Sequence, residues 1–125
     1  KVTLLCTSGQ LRSAAVKLIP FLLDSGAEIY YSGDTDPDGI RIADRLWKKY
    51  GDRIHVWRMS EEDYVTSLSE EEIGNVSIKK LETVENPVLR KTAKEVRKKK
   101  RAGYQENILK DLLEDMELER PSRKQ

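Results

Sequence analysis

The chain has 125 residues, a formal net charge of +1 and 38% hydrophobic residues, which favours one globular domain with a hydrophobic core. No apolar run reaches the roughly 18 residues that a membrane span needs, and the start at Lys1 shows no signal-peptide pattern, so we expect a cytoplasmic protein that does not bind membranes. The single cysteine, Cys6, excludes an internal disulfide and lies in an apolar run, where we expect a buried and inert thiol. The single histidine, His55, alternates with apolar residues and is expected on a half-exposed strand, which argues against histidine-based chemistry.

Strands and helices are predicted to alternate from the start of the chain. An apolar run at residues 2–7 predicts a strand, and Ser8 and Gly9 predict the turn that follows it. A segment with helical spacing of apolar residues comes next, and a Ser-Gly pair ends it. A second strand, at residues 27–31, then leads into a loop rich in aspartate.

The alternation continues to residue 69. After the acidic loop, apolar residues recur at helical spacing until Gly51, and residues 54–59 predict a third strand. Ser60 is expected to cap a further helix, with acidic residues in its first turn. Strands that alternate with helices predict an α/β fold with a Rossmann-like parallel sheet. In such sheets ligands bind beyond the carboxyl ends of the strands, where Ser8, Gly9 and the acidic loop are expected.

The C-terminal part is expected to be a helical extension. We predict an α/β core over residues 1–84, a helical extension over residues 85–118 that starts after a break at Asn86 and Pro87, and a flexible tail over residues 119–125. From residue 88 onward the sequence favours helix, with Gly103 as an interruption. Apolar residues then form a stripe at helical spacing: Tyr104, Ile108, Leu109, Leu112, Leu113 and Met116.

The acidic loop, residues 32–39, is the strongest functional signal in the sequence. It carries Asp34, Asp36 and Asp38 at alternate positions between a predicted strand and a predicted helix. Carboxylates this close repel one another unless a cation lies among them. The loop therefore predicts a site for a hard metal ion such as Mg²⁺, Mn²⁺ or Ca²⁺.

Three other interpretations fit the acidic loop less well. An EF-hand calcium loop matches at its first positions, but position 12 would be Arg45, where such a loop needs a bidentate glutamate. A phosphatase-like loop could use Asp34 as nucleophile and Asp36 as acid, yet the lysine and downstream acids that it needs are not evident. Simple capping of the next helix accounts for one carboxylate and not for three.

The residues of the loop resemble a known family. The pattern Gly-Asp-x-Asp-Pro-x-Gly after a strand, with Ile-x-Ile-Ala in the next helix, resembles the Toprim domain of topoisomerases, primases, topoisomerase VI and meiotic double-strand-break proteins. More narrowly, the chain resembles the Toprim nuclease subunit of Wadjet-type, SMC-associated plasmid-defence systems of bacteria, a formerly uncharacterised family of the DUF2399 type. The segments that carry this narrower resemblance are Cys6-Thr7-Ser8-Gly9-Gln10, Tyr31-Ser32-Gly33-Asp34, Trp57-Arg58-Met59, Asp63-Tyr64, Tyr104-Gln105-Glu106 and Leu112-Leu113.

The resemblance implies a catalytic metal site. Asp34 and Asp36 would hold a catalytic Mg²⁺ or Mn²⁺, with Asp38 as an additional ligand. Toprim catalysis also uses a glutamate at the end of an earlier strand, which implies that a first β-α unit would precede Lys1. Glu85 stands in a similar Glu-Asn-Pro signature, but it follows the sheet segments and lacks an apolar strand before it. We therefore exclude Glu85 from the predicted site.

The function implied is metal-dependent cleavage or nicking of DNA, as in a topoisomerase-like endonuclease. Its implied partners are DNA, a DNA-binding domain upstream in the same protein, and subunits of an SMC-type complex. A dense basic cluster at residues 94–101 is the kind of surface that binds phosphates. Our candidate phosphate or DNA contacts are Ser8, Gly9, Arg58, Lys98, Lys99 and Arg101.

Two other functions stay open at this point. A degenerate Toprim fold could serve as a non-catalytic assembly or nucleic-acid-binding module, with the apolar stripe at residues 108–116 docking a partner. The same fold also supports RNA processing and primase-like nucleotidyl transfer. Binding of a divalent ion by Asp34 and Asp36 separates catalysis from assembly, and activity on RNA or nucleotides would indicate the third function.

Overall fold

The computed structural model describes residues 2–6, 12–104 and 114, with side chains described for residues 17–104 and 114. Two short 3₁₀ helices, Gly51–Arg53 and Lys80–Thr83, connect longer elements. The strands and α-helices of this part, in chain order, are β1 (Val2–Cys6), α1 (Arg12–Asp24), β2 (Glu28–Ser32), α2 (Pro37–Tyr50), β3 (Ile54–Val56), α3 (Glu61–Ser67), β4 (Leu68–Glu72), α4 (Asn75–Lys79), α5 (Pro87–Lys99) and β5 (Arg101–Gly103).

The first three strands form a parallel sheet in the order β1-β2-β3. In register, Val2 pairs with Glu28 on the central strand, and Ile29 pairs with Ile54. Parallel neighbours need crossover connections, which α1 and α2 provide. The predicted α/β class with a parallel sheet is therefore confirmed for the described residues.

Local sequence signals determine where the helices begin. Asp36 caps α2, and Pro37 occupies its first turn, where a missing N–H costs nothing. Ser60 and Asp63 form a reciprocal capping box at the start of α3, and Asn86 accepts hydrogen bonds from the first amides of α5. The predicted helix starts at Ser60 and after Asn86 are thus confirmed. Among the described residues, no helix combines the length and apolar content that crossing a membrane requires.

One hydrophobic core joins the parallel sheet to helices from both parts of the chain. Tyr31 and Ile29 of β2 are fully buried against it. The other buried side chains of this core come from helices, strands and loops: Ile19, Leu23, Ile40, Ala43, Leu46, Ile54, Met59, Tyr64, Leu81, Val84, Leu89, Ala93 and Val96. Helix α5 therefore packs into the same core, although it follows the domain boundary that we predict at residue 84. That boundary and the tail at residues 119–125 stay predictions.

Strands β4 and β5 were not predicted: β4 lies before the predicted helical extension, and β5 lies where the sequence favours helix with an interruption at Gly103. They form an antiparallel pair in which Leu68 lies opposite Gly103 and Glu72 opposite Arg101. Helix α5 ends because Lys100 adopts a left-handed backbone with φ of 53°. Strand β4 was missed because its sequence, Leu-Ser-Glu-Glu-Glu, lacks the apolar alternation that marks a half-buried strand.

The third strand is also shorter than predicted. It ends at Val56 rather than at residue 59, and Arg58 has a positive φ of 55° that extended strand does not accommodate. His55 lies on this strand with 35% of its side chain exposed, which confirms the half-exposed position that we predict. Its ring stacks on Tyr30 with centroids 4.5 Å apart, and Nε2 lies 3.4 Å from Glu28 Oε1.

Asp44 connects α2 to the start of α5. Its buried Oδ1 accepts hydrogen bonds from the backbone amides of Glu85, at 3.0 Å, and Asn86, at 2.7 Å. Lys48 pairs with Asp44 Oδ2 at 3.1 Å and with Glu85 Oε2 at 2.6 Å. The hydrogen bond to Glu85, followed by that to Asp44, raises the pKa of Lys48 above its ordinary value. This network holds the beginning of α5 against the middle of α2.

Tyr64 provides a test of the contact between α3 and β5. Its hydroxyl donates to the Arg101 carbonyl oxygen at 2.6 Å, so we expect Tyr64→Phe to lower the free energy of unfolding by about 1 kcal/mol at pH 7. Burial raises the pKa of Tyr64 above its ordinary value near 10. The folded state therefore holds the hydroxyl proton of Tyr64 more tightly than the unfolded state does. The stability that this hydroxyl contributes is complete below about pH 10 and is lost as the pH rises through the folded-state pKa.

Denaturant unfolding of both proteins at neutral and alkaline pH measures this effect. The gap in stability between wild type and Tyr64→Phe should narrow once the pH exceeds about 10. Equal stabilities at pH 7 would contradict a role for this hydrogen bond.

Candidate metal site

The acidic loop lies at the carboxyl end of β2, the central strand of the parallel sheet. Asp34 follows the strand by two residues and is only 7% exposed. Asp36 is half-buried, and its Oδ1 accepts a hydrogen bond of 2.7 Å from the Gly39 amide. Since a carboxylate has two oxygens with several acceptor positions, capping of the helix and coordination of a metal are compatible on the same side chain.

Gly39 allows the loop to pack closely on the first turn of α2. A Cβ atom at this position would overlap the backbone carbonyl oxygen of Asp34 and lie 3.0 Å from Asp36 Oδ1. Backbone cannot move aside as a flexible side chain can. The backbone of Asp34 and the carboxylate of Asp36 therefore meet at a place that only glycine fits.

Thr35, between the two aspartates, anchors the loop to β5. Its amide donates to the Gly103 carbonyl at 2.8 Å, and the Gly103 amide donates back to the Thr35 carbonyl at 3.3 Å. Thr35 Oγ1 also donates to the Gly103 carbonyl, at 3.1 Å, and lies 3.2 Å from Ser67 Oγ. Thr35 and Ser67 are buried, and a Cβ on Gly103 would overlap both of their hydroxyls. The backbone positions of Asp34 and Asp36 thus depend on a strand far away in the sequence.

Thr35, Ser67 and Gly103 were not among the predicted site residues. Their hydrogen bonds join segments 32 and 68 residues apart, which no local pattern reports. The one available signal was the isolated Gly103, because a glycine within a strand often marks a close approach of backbones. We interpreted that glycine as a helix interruption instead.

The surroundings of the Asp38 side chain differ from those of Asp34 and Asp36. Its side chain is 59% exposed, and Oδ1 lies 3.5 Å from Lys80 Nζ. In the part of the chain that the structure describes, no group of three or more His, Cys, Asp or Glu side chains is arranged to hold a metal ion. The structure therefore brings Asp34 and Asp36 to one loop and places the Asp38 carboxylate beside a lysine.

The remaining candidate contacts fall in different places. Arg58 follows β3, and its Nη1 lies 3.4 Å from Asp63 Oδ1 at the start of α3. Lys98 and Lys99 are exposed at the end of α5, whereas Arg101 Nε donates to the Ser69 carbonyl at 2.7 Å within the β4-β5 pair. Ser8 and Gly9 lie outside the described residues.

Glu85 lies far from the acidic loop along α2. Its carboxylate binds Lys48, which is twelve residues beyond Asp36 on the same helix, or about 18 Å at 1.5 Å per residue. The exclusion of Glu85 from the metal site stays a prediction. Glu85 serves the network that connects α5 to α2.

Asp34 and Asp36 match Mg²⁺ or Mn²⁺ in the chemistry of their ligand atoms. Mg²⁺ prefers oxygen ligands and is usually bound by one or two carboxylates, with water and substrate phosphates completing its coordination. Asp34 and Asp36 supply two such carboxylates on a loop that hydrogen bonds hold at both ends. Ca²⁺, in contrast, takes about six to eight oxygen ligands, many of them from protein, so two carboxylates suit Mg²⁺ better.

These features define a class of protein: an α/β domain with an acidic loop at the carboxyl end of its central parallel strand. The chain belongs to the DUF2399 family, which is described as the C-terminus of a protein of unknown function. The model of this family matches residues 1–116. The chain has no significant match among curated proteins or among solved structures. The DUF2399-type part of the resemblance is therefore confirmed.

Replacement of Gly39 tests the packing of the loop. We expect Gly39→Ala to lower the free energy of unfolding by about 1–3 kcal/mol, because the added methyl group meets backbone that cannot yield. Gly74→Ala is the matched control, since a Cβ at Gly74 meets no atom within 4 Å and its φ of −71° suits alanine.

Gly74 caps the short helix α4 through its backbone only, so its replacement should cost less than about 1 kcal/mol. Urea unfolding of the two variants beside the wild type provides the comparison. If Gly39→Ala and Gly74→Ala lowered the free energy of unfolding by the same small amount, this result would contradict the close backbone approach at Gly39.

Proposed function

We propose that this chain is a Toprim-type domain that holds Mg²⁺ or Mn²⁺ on Asp34 and Asp36 and acts on DNA phosphodiester bonds. Its biological setting would be a bacterial plasmid-defence complex of the Wadjet type, with SMC-type subunits and an upstream DNA-binding domain as partners. The observation that supports the proposal best is the acidic loop itself. Two aspartates that flank an anchored threonine lie at the edge of the sheet where α/β proteins bind ligands.

The chemistry proposed is metal-assisted cleavage or nicking of DNA. A bound Mg²⁺ would neutralise charge on the phosphate and stabilise charge on the attacking and leaving oxygens. The chain's own residues would orient the site: Gly39 and Thr35 hold the loop, and Asp36 is aligned by its hydrogen bond to the Gly39 amide. We propose that a glutamate from a preceding β-α unit completes the active site. The nucleophile would be a water molecule or a tyrosine of the DNA-binding domain.

A second candidate function is a non-catalytic assembly or nucleic-acid-binding module on the same fold. Two observations favour it. The Asp36 side chain already caps α2, and the Asp38 carboxylate lies beside Lys80. The apolar stripe at residues 108–116, which would dock the partner, lies outside the described residues except for Glu114.

Asp36→Asn separates the two functions. Asparagine caps helices about as well as aspartate, so the free energy of unfolding should change by less than about 0.5 kcal/mol. The variant loses the negative charge that a divalent ion needs. Affinity for Mn²⁺, measured by calorimetry, should fall by at least about tenfold, since loss of even an outer-shell partner of a metal site typically reduces affinity about 10–100-fold.

Asp52→Asn is the matched control, because Asp52 is an exposed aspartate in the 3₁₀ helix after α2. It should leave both the stability and the Mn²⁺ affinity of the wild type unchanged. Plasmid cleavage by the complete protein with its partners is then measured for each variant. Undiminished cleavage by a protein with both Asp34 and Asp36 replaced would refute the catalytic proposal and leave the assembly function.

A further inference from the structure

A row of cations runs along the solvent-facing side of α5. Two adjacent pairs, at residues 90–91 and 97–98, each lie three to four residues from Lys94, which places all five cations on one side of a helix. All of them are exposed: Arg90, Lys91, Lys94, Arg97 and Lys98. We call these five residues the α5 basic stripe.

The core fixes the direction in which this stripe faces. The opposite side of α5 carries Leu89, Ala93 and Val96, which are at most 4% exposed. Thr92, also on that side, donates from its hydroxyl to the Met59 carbonyl oxygen at 2.7 Å. Rotation of the helix would expose these side chains and break this bond. The stripe is therefore presented to solvent by the fold.

The stripe borders a groove rather than a flat surface. A concavity of about 380 Å³ lies between α5 and the 3₁₀ helix Lys80–Thr83. Leu81 and Val84 are among its apolar lining residues, and Arg90, Lys91, Lys94 and Arg97 provide its cations. A second concavity, on the Lys98 side, shares three of these cations. The cations thus line two adjoining depressions along one helix.

The surface is more positive than the chain as a whole. Three carboxylates, those of Glu61, Glu82 and Glu95, also line the two depressions. With the five cations of the stripe they give a net charge of +2 from eight residues, whereas the entire chain of 125 residues carries +1. Glu95 lies 3.7 Å from Lys98 Nζ, a separation at which exposed pairs contribute little. An anion would therefore be attracted to this surface.

The stripe differs from the basic cluster that the sequence suggests. That cluster, at residues 94–101, would be a single helical patch, but the helix ends at Lys99 and Arg101 is bonded within the β4-β5 pair. Arg90 and Lys91, which precede that cluster in the sequence, belong to the stripe instead. Only the three-dimensional arrangement shows which cations act together.

We propose that the α5 basic stripe binds the phosphate backbone of duplex DNA without reading its sequence. Arg90 and Lys98 are eight residues apart, or about 12 Å along the helix, which is about the axial rise of three to four base pairs of duplex DNA. The choice of DNA as the polyanion rests on the proposed function. A membrane surface fits less well, because an interfacial helix inserts an apolar face, and that of α5 is in the core.

Removal of three lysines from the stripe tests the proposal in the full chain. The variant is Lys91→Gln with Lys94→Gln and Lys98→Gln, and its binding to a 25-base-pair duplex is followed by fluorescence anisotropy between 50 and 200 mM salt. EDTA is included, so that a metal site does not contribute. We expect affinity to fall by about tenfold or more and the slope of log affinity against log salt to become shallower by about 2–3.

The matched control removes three exposed lysines elsewhere, by Lys17→Gln, Lys49→Gln and Lys79→Gln. It changes the net charge equally, so it should weaken binding by no more than about twofold if position matters. Equal losses in the two triple variants, or none in either, would overturn the proposal. So would binding to vesicles rich in anionic lipid that is tighter than to DNA and depends on the same lysines.

One further variant separates this surface from the acidic loop. Asp34→Asn with Asp36→Asn should bind the duplex in EDTA at least as tightly as the wild type, while the stripe variant should keep its affinity for Mn²⁺. If the stripe variant bound DNA normally but the acidic-loop variant lost both Mn²⁺ binding and cleavage, the stripe proposal would fail and the proposed function would stand. Thermal unfolding of each variant confirms that it is folded.

Discussion

The backbone pairing between Thr35 and Gly103 is the contact on which the candidate site depends. It places a residue of the acidic loop in an antiparallel bridge with β5, and the Thr35 hydroxyl adds bonds to Gly103 and Ser67 inside the protein. Asp34 and Asp36 lie on either side of this fixed point. The cation that we propose would bind with little further ordering of the loop, because this pairing already holds the backbone between the two aspartates.

Helix α2 connects the acidic loop to the start of α5. Its first turn begins at Asp36 in the acidic loop, and its middle holds the start of α5 through Asp44. Because α5 also packs into the common core, the acidic loop and the α5 basic stripe belong to one rigidly connected structure. A phosphate-binding surface at a fixed position relative to a metal site would let electrostatic attraction hold DNA while the acidic loop acts on one bond.

Local features of the sequence predicted much of this fold. The starts of α2, α3 and α5 could be predicted because Asp36, Ser60 and Asn86 cap these helices with their side chains. The ring of Pro37 also favours the first turn of a helix. The parallel sheet followed from the alternation of strands with helices. The features that were missed depend on partners distant in sequence: the β4-β5 pair, the buried bonds of Asp44 and the anchoring of Thr35. The acidic loop was found as a motif, but the proximity of Asp38 to Lys80 required the folded chain.

Anomalous diffraction from crystals grown with Mn²⁺ tests the proposed metal site most directly. We expect a peak at the acidic loop, within direct coordination distance, about 2.1 Å, of carboxylate oxygens from both Asp34 and Asp36. The Thr35 and Gly103 backbones should stay paired when the ion is bound. A peak elsewhere in the protein, or none at the loop at millimolar Mn²⁺ while Asp36 still caps α2, would contradict the account and assign the aspartates a structural role alone.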